Sequence, residues 1–260
     1  MRQLELSSVS HSYTAVDGSV TRALEDLSLA VGSGQSVAVI GPSGCGKSSL
    51  LQMAAGLLVP GEGRVSVDGE VLAGPRRATG LILQDFGLLP WKTVLANAEL
   101  GLKLRKVPRA ERRGRAMDAL ALVGLEGCAA KYPGELSGGM RQRLALARSL
   151  ALDVDLLLMD EPLSALDALL REQLQETLLS LWREQGYAQV LVTHSIEEAV
   201  YLGQRIYVLS ARPGHVVGTV ENPGMGGEGY RGSGAYFALV NEVRALLHAG
   251  TGAGEGAAHA

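Results

Sequence analysis

Near the start of the chain, hydrophobic positions alternate with polar or small ones. Leu27, Leu29 and Val31 keep that rhythm, and so do Val65 and Val67 just before an Asp68-Gly69 turn. A period of two sends successive side chains to opposite faces, which predicts half-buried antiparallel strands. Farther along, the pattern changes to short, continuously apolar runs at 37–40, 81–83, 156–159, 190–192 and 206–209. Runs of this length and composition suit strands buried on both faces of a parallel sheet. Between them the period becomes helical. Leu170, Leu174, Leu178 and Leu181 recur at three- or four-residue steps, and Met117, Leu120 and Gly124 continue a similar pattern. Strands alternating with helices predict an α/β fold.

Local signals refine two of these elements. Ser195 followed by Glu198 fits a capping box, in which each side chain accepts a hydrogen bond from a backbone N–H, so a helix is expected directly after Thr193-His194. Beyond Pro223 the chain turns glycine-rich, then recovers an apolar stripe at Phe237, Val240, Val243 and Leu247 before a Gly/Ala tail from Gly250. One late helix and a disordered end are expected.

Composition narrows the function classes. A chain of 260 residues that is 47% hydrophobic can bury a sizeable core. Its net charge of -3 supplies no global positive field, so nucleic acid is not expected as a partner. No apolar run approaches the roughly 18 residues a bilayer span needs. Met1 to Ser10 lack the charged-then-apolar layout of a signal peptide, which points to the cytoplasm. Cys45 and Cys128 are too isolated for a disulfide framework or a zinc site. The basic stretch of Lys103, Arg105, Lys106, Arg109, Arg112, Arg113 and Arg115 contains Glu111 and no interleaved aromatics. It reads as a solvated helix face, with contact to anionic lipid headgroups as the alternative.

The strongest chemical signal is Gly41-Pro42-Ser43-Gly44-Cys45-Gly46-Lys47-Ser48, placed after the 37–40 strand and before the apolar stretch from Leu50. The glycines let backbone N–H groups turn inward around phosphates, and the following helix N-terminus adds partial positive charge. Lys47 is expected at the β- and γ-phosphates and the Ser48 hydroxyl on Mg²⁺, with Ser49 completing the loop. Cys45, at a helix N-terminus, sits in a setting that favours the thiolate. Asp160 and Glu161 end the predicted buried strand 156–159. Asp160 would hold Mg²⁺ through its water shell, and Glu161 can take a proton from the attacking water. His194, also at a strand end, can hydrogen-bond the γ-phosphate or that water.

Leu136-Ser137-Gly138-Gly139-Met140-Arg141-Gln142-Arg143 lies between Gln84 and Asp160. Ser137 can cap a helix there, and the glycines leave N–H groups open to an anion. With this octapeptide, which looks like a signature motif, the chain resembles the ATP-binding subunits of ABC transporters. The resemblance implies a P-loop NTPase core with a mainly parallel sheet, an N-terminal antiparallel β subdomain and an inserted α-helical subdomain at about 86–154. It places the ATP-binding domain at 1–220 and leaves 221–260 as an extension. It also implies that Tyr13 stacks on adenine, that Gln84 approaches Mg²⁺ and the water, that Ser164 to Asp167 cross a dimer interface, and that His194 acts as a switch. Two subunits would close head to tail, so that Ser137, Gly138 and Gly139 of one contact ATP on the phosphate loop of the other. The match has mild departures: Leu83 precedes Gln84 where many members have Phe, Ser195 follows His194 where Asp is common, and Leu163-Ser164 replaces a frequent Phe-Gly.

Leu88-Leu89-Pro90-Trp91 and Leu209-Ser210-Ala211-Arg212-Pro213-Gly214 are similar to segments of the importer branch serving nitrate, sulfonates and taurine. That likeness implies a peripheral protein on the cytoplasmic face of the membrane, paired with two transmembrane permease subunits and, indirectly, a solute-binding protein. The alternatives are a soluble ABC ATPase acting in iron-sulfur assembly or on another macromolecule, and an export ATPase.

Overall fold

The structure, a computed structural model, describes residues 2–252. Along the chain run β1 (Arg2–Thr14), β2 (Val20–Gly32), β3 (Ser36–Ile40), α1 (Lys47–Ala54), β4 (Glu62–Val67), β5 (Glu70–Val71) and β6 (Thr79–Ile82). Then come α2 (Val94–Ala98), α3 (Leu100–Leu104), α4 (Arg109–Leu122), α5 (Gly138–Leu150), β7 (Leu156–Asp160) and α6 (Ala168–Gln185). Last are β8 (Ala188–Thr193), α7 (Ile196–Leu202), β9 (Arg205–Leu209), β10 (Val216–Glu221) and α8 (Gly234–Gly252). The chain forms two compact units. One holds the residues up to Thr79, Asp155–Asp160 and Trp182 onward; the other holds Gly80–Val154 and Glu161–Leu181.

In the first unit β2, β1, β4 and β5 make an antiparallel sheet in that order. Leu27, Leu29 and Val31 of β2 are buried, as are Val65 and Val67 of β4. Asp68 and Gly69 both take positive φ, 52° and 87°, the geometry that lets a two-residue turn follow the twist of its strands. The second sheet carries the apolar runs, in the order β10-β9-β3-β8-β7 within this unit. β3 pairs with β8 and β9, and β7 with β8, all parallel, while β10 closes the edge antiparallel to β9. Every residue of β3, β7 and β8 is buried, which is why these strands lack polar alternation. β6 spans the boundary between the units and ends at Ile82, leaving Leu83 outside the strand.

The helix expected after His194 is α7, capped by Ser195, whose hydroxyl accepts the Glu198 N–H at 3.2 Å. The reciprocal half of the capping box does not form. Ser195 N–H donates instead to the Thr193 hydroxyl at 3.0 Å, and the Thr193 hydroxyl donates to the Glu198 carboxylate. Thr193 thus takes the position between the two groups that the box would have joined. After β10, Asn222 is buried and bonds α7 from below: its amide donates to Val200 O at 2.7 Å and Gly203 O at 2.8 Å, and its oxygen accepts the Tyr230 hydroxyl at 2.6 Å. The late helix α8 buries Tyr236, Val240 and Val243 but leaves Phe237 exposed, so the apolar stripe starts one residue earlier than its sequence suggests. Tyr236 displaces Phe237 because its ring packs edge-on to Tyr230 and its hydroxyl reaches Glu197 O at 3.3 Å. Gly250, expected to open the disordered tail, is helical, buried and accepts the Ala211 N–H at 3.2 Å. The rest of that tail lies outside the described residues.

The second unit is helical. Its core includes Leu102, Ala116, Leu120, Leu125, Leu144 and Leu146. Gly124 does not continue α4 but ends it. Leu125 N–H bonds Leu120 O and Gly124 N–H bonds Ala121 O, with Gly124 at φ 65°, which is a Schellman stop. The basic stretch is engaged locally: Arg105 donates to Asp153 O at 2.7 Å, Arg112 lies 3.6 Å from Glu99, and Arg115 pairs with Asp153 at 2.8 Å.

Candidate functional site

Parallel pairing sets the layout of the first unit's chemistry. Ile40, the last residue of β3, is level with Thr193 at the end of β8, and Val192 is level with Asp160 at the end of β7. Adjacent strands lie about 4.8 Å apart. The loop from Gly41, the residue after β8, and Asp160 therefore emerge at one edge of the sheet, the C-terminal edge where open α/β sheets bind ligands. Asp160 is buried, His194 exposed.

The loop itself leads directly into α1, which begins at Lys47. Gly46, just before it, has φ 100°, and a Cβ there would stand 2.6 Å from Leu24 Cδ2 and 2.8 Å from Ala23 O. Any other residue would be both strained and overpacked. Gly41 and Cys45 are buried, Pro42, Gly46 and Ser48 half-buried, and Ser43 and Gly44 exposed. The Lys47 ammonium, 7% exposed, donates to Gly41 O and Pro42 O at 2.9 Å each, which centres it within the loop. Tyr13 comes to the same place from β1. Its hydroxyl bonds the Ser49 hydroxyl at 2.9 Å while its ring, 44% exposed, meets His11 edge-on.

Cys45 departs from expectation. It is fully buried, and burial pushes its thiol above the ordinary range, offset in smaller part by Lys47 and then Arg212. The helix N-terminus is there, but desolvation of the charged form outweighs it.

The second unit gathers the other motifs. Ser137 caps α5, its hydroxyl accepting Met140 N–H at 3.3 Å, and is itself exposed. Gly138 and Gly139 form the first turn of α5, and a Cβ on Gly139 would meet Leu166 at 3.1 Å and Ala165 O at 3.3 Å. Gln142, one turn on and 1% exposed, ties the signature helix to the segment after Asp160. Its amide donates to Glu161 O at 2.9 Å and its oxygen accepts Ala165 N–H at 2.9 Å. Glu161 has φ 49°, left-handed for a residue with a side chain, a conformation that costs of order 1–3 kcal/mol and persists only where the surroundings enforce it. Asp167 is exposed and its carboxylate accepts Leu170 N–H at 3.0 Å at the start of α6. Gln84 is exposed in the loop after β6, and that loop is held by Arg148, which donates to Phe86 O at 2.7 Å and Gly87 O at 2.6 Å.

Gln142, Arg148 and Thr193 were not singled out from the sequence. Gln142 and Arg148 act on backbone carbonyls distant in sequence, which no motif spacing announces, and Thr193 joins a backbone N–H to the Glu198 carboxylate. Hard oxygen donors, the Ser48 hydroxyl and the Asp160 carboxylate, belong to the first unit, and that donor chemistry suits Mg²⁺, which keeps most of its waters and takes phosphate oxygens.

Comparison with known proteins converges on one family. A family model described as ABC transporter matches residues 24–164. The taurine import ATP-binding protein TauB of Burkholderia pseudomallei (strain 1710b) is 50% identical over 217 residues, covering 84% of this chain and 83% of that protein. TauB of Pseudomonas aeruginosa (strain UCBPP-PA14) is 49% identical over 194 residues, covering 75% of this chain and 74% of its own length. Among solved structures, the dimeric form of MJ0796, a bacterial ABC transporter cassette, superposes with a TM-score of 0.79 at 33% identity, covering 85% of this chain and 100% of the other. A dimeric post-hydrolysis state of the same cassette, bound to ADP and Pi, matches with the same TM-score, identity and coverage.

Proposed function

The chain belongs to the ABC transporter family, and on that premise we propose that it is the ATP-hydrolysing subunit that powers import of a small solute of the taurine, sulfonate or nitrate class. The observation that carries this reading is the 50% identity to a taurine import ATP-binding protein across 84% of the chain. Relatives of this kind do not favour the iron-sulfur or export alternatives. As an importer subunit the chain would sit on the cytoplasmic face of the membrane beneath two permease subunits, with 1–220 as its ATP-binding domain, 86–154 as the helical part and 221–260 as an extension.

The proposed chemistry gives each of these groups a role. Loop N–H groups and Lys47 neutralise the β- and γ-phosphates, and Tyr13 offers its exposed ring face to adenine. Ser48, Asp160 and Gln84 would hold Mg²⁺, which when bound neutralises charge between the terminal phosphates. Glu161 accepts the proton of the attacking water, and His194 orients that water or the γ-phosphate. Two copies pair head to tail, so that Ser137, Gly138 and Gly139 of one present the N-terminus of α5 to the γ-phosphate held by the other, with Asp167 at the interface.

Glu161→Gln tests the assignment. The variant should bind ATP almost normally, hydrolyse it at least about a hundredfold more slowly, and run as an ATP-dependent dimer on sizing. Turnover near wild type would remove Glu161 from this role. Copurification of a multi-helix membrane protein with the tagged chain tests the permease assignment, and its absence from detergent extracts of native membranes counts against it.

A further inference from the structure

The phosphate loop is held from outside by a segment that the catalytic scheme does not use. On one side lies β2, with Leu24 and Ala23 against Gly46. On the other lies the loop from Ser210 to His215, between β9 and β10. Gly214 joins the two: it bridges Leu24, its N–H donates to Ala23 O at 2.9 Å, and its carbonyl accepts Glu25 N–H at 3.0 Å. A Cβ on Gly214 would stand 2.0 Å from Cys45 O, so the segment lies in direct backbone contact with the loop. Ser210, buried, pins the segment's shape: its hydroxyl oxygen accepts the His215 N–H at 3.0 Å, and its one proton is shared between Ala211 O at 2.8 Å and Pro213 O at 3.0 Å.

From this frame Arg212 reaches over the loop. Its Nε–H donates to Gly44 O at 2.8 Å, and its guanidinium covers Gly44 so closely that a Cβ there would lie 3.0 Å from a terminal nitrogen. Gly44 has φ 77°, and its carbonyl is turned outward to the arginine. For the peptide between Gly44 and Cys45 to present its N–H to an anion, its carbonyl must face away from that anion. A single inverted peptide would aim a partial negative charge at the phosphates.

We propose that Arg212 is a positioning residue of the phosphate site: its bond to Gly44 O fixes the orientation of that peptide, and its charge adds to that of Lys47. The reach of that charge is visible at Cys45, whose thiol is pushed up mainly by burial and is drawn back by Lys47 and, more weakly, by Arg212. Arginine suits the post because its planar fork loses little freedom on bonding and stays charged at every relevant pH.

The inference rests on this loop binding ATP phosphates, and a Lys47→Ala control separates the two ideas. In the full-length protein, MgATP turnover, binding of a fluorescent ATP analogue and nucleotide-free melting are measured for wild type, Lys47→Ala, Arg212→Ala and Arg212→Lys. Arg212→Ala should raise the KM for ATP and weaken analogue binding about tenfold, equivalent to about 1.4 kcal/mol, with kcat within about twofold. Because Arg212 is exposed, nucleotide-free melting should stay within about 2 °C. Arg212→Lys should recover KM to within about threefold of wild type, because a lysine keeps the charge and a donor. A KM within twofold of wild type for Arg212→Ala overturns the proposal. So does a weakened variant whose loss tracks a lowered nucleotide-free melting temperature and is not rescued by lysine. Unchanged binding and turnover in Lys47→Ala would instead overturn the phosphate assignment of the loop.

Discussion

Asn222→Ala should be among the most destabilising single changes in the first unit, and the structure supplies the reason. Asn222 is 1% exposed. Its amide caps Val200 O and Gly203 O at the C-terminal end of α7, where carbonyls lack helical partners, and its oxygen receives the Tyr230 hydroxyl. Alanine strands two carbonyls and one hydroxyl at a buried site. At about 1 kcal/mol or more for each orphaned group, the loss is about 3 kcal/mol. For a chain of this size that lowers the melting midpoint by about 6–12 °C. Tyr230→Phe removes only one of the bonds and should cost about 1 kcal/mol alone. In the alanine background it should instead recover about 1 kcal/mol, because the hydroxyl it deletes has already lost its acceptor; the coupling is then about 2 kcal/mol. Trp182, whose ring N–H bonds Gly34 O at 3.1 Å in the same unit, reports the transition by fluorescence once Trp91 is replaced by Phe. A midpoint for Asn222→Ala within about 2 °C of its parent, or fully additive effects in the double variant, would refute the network as described.

Three other outcomes follow from burial and bonding. Bulky maleimides should modify Cys128, which is half-buried, well before the fully buried Cys45, and mass spectrometry of the native protein showing Cys45 labelled first would contradict the depth assigned to it. Tyr187 is buried, its hydroxyl has no hydrogen-bond partner among the described residues, and burial pushes its ionisation well above the ordinary 10.0, so the folded state keeps the phenol proton longer than the unfolded state does. That contribution is complete below about pH 10 and is lost as pH rises above it, so Tyr187→Phe should flatten the alkaline fall in melting temperature while being neutral or up to about 1 kcal/mol stabilising near neutrality; an unchanged alkaline limb contradicts this. Arg148→Ala frees Phe86 O and Gly87 O and should cut ATP turnover about tenfold with KM within about threefold, since the loop it releases carries Gln84; unchanged turnover would remove Arg148 from the positioning of that loop.

The parallel sheet was legible because strands buried on both faces must read as unbroken apolar runs, and β3, β7, β8 and β9 do. Their order also put Gly41, Asp160 and His194 at strand ends, which parallel register turns into one sheet edge. β1 and β10 were harder to see. β1 carries register shifts against β2, and Ser8 stands at φ 47°, so its buried residues fall out of strict alternation. β10 is an edge strand that buries only Val220, so it has no apolar run to show. Local signals failed where a neighbour intervened: Thr193 took the reciprocal hydrogen bond of the capping box, and burial reversed the reactivity inferred for Cys45 from its place at a helix start. The supporting residues Gln142, Arg148 and Arg212 reach carbonyls 19, 62 and 168 positions away, separations over which sequence pattern carries no information.

Under the proposed pairing, ATP sites are shared between two copies of this chain, and a mixed dimer of two damaged copies distinguishes shared sites from self-contained ones. One copy carries Lys47→Ala, removing the ammonium that the Gly41 and Pro42 carbonyls centre in the phosphate loop. The other carries Ser137→Arg, filling the exposed N-terminus of α5 with a bulky side chain. Each homodimer has two damaged sites and should be inactive. In the mixed dimer, pairing across subunits places both lesions in one site and leaves the other complete. A dimer of one wild-type and one Lys47→Ala copy must first hydrolyse ATP, to establish that a single intact site fires. With that control active, the mixed dimer should hydrolyse ATP at close to the control's rate, and a silent mixed dimer would rule out sites shared between the two copies.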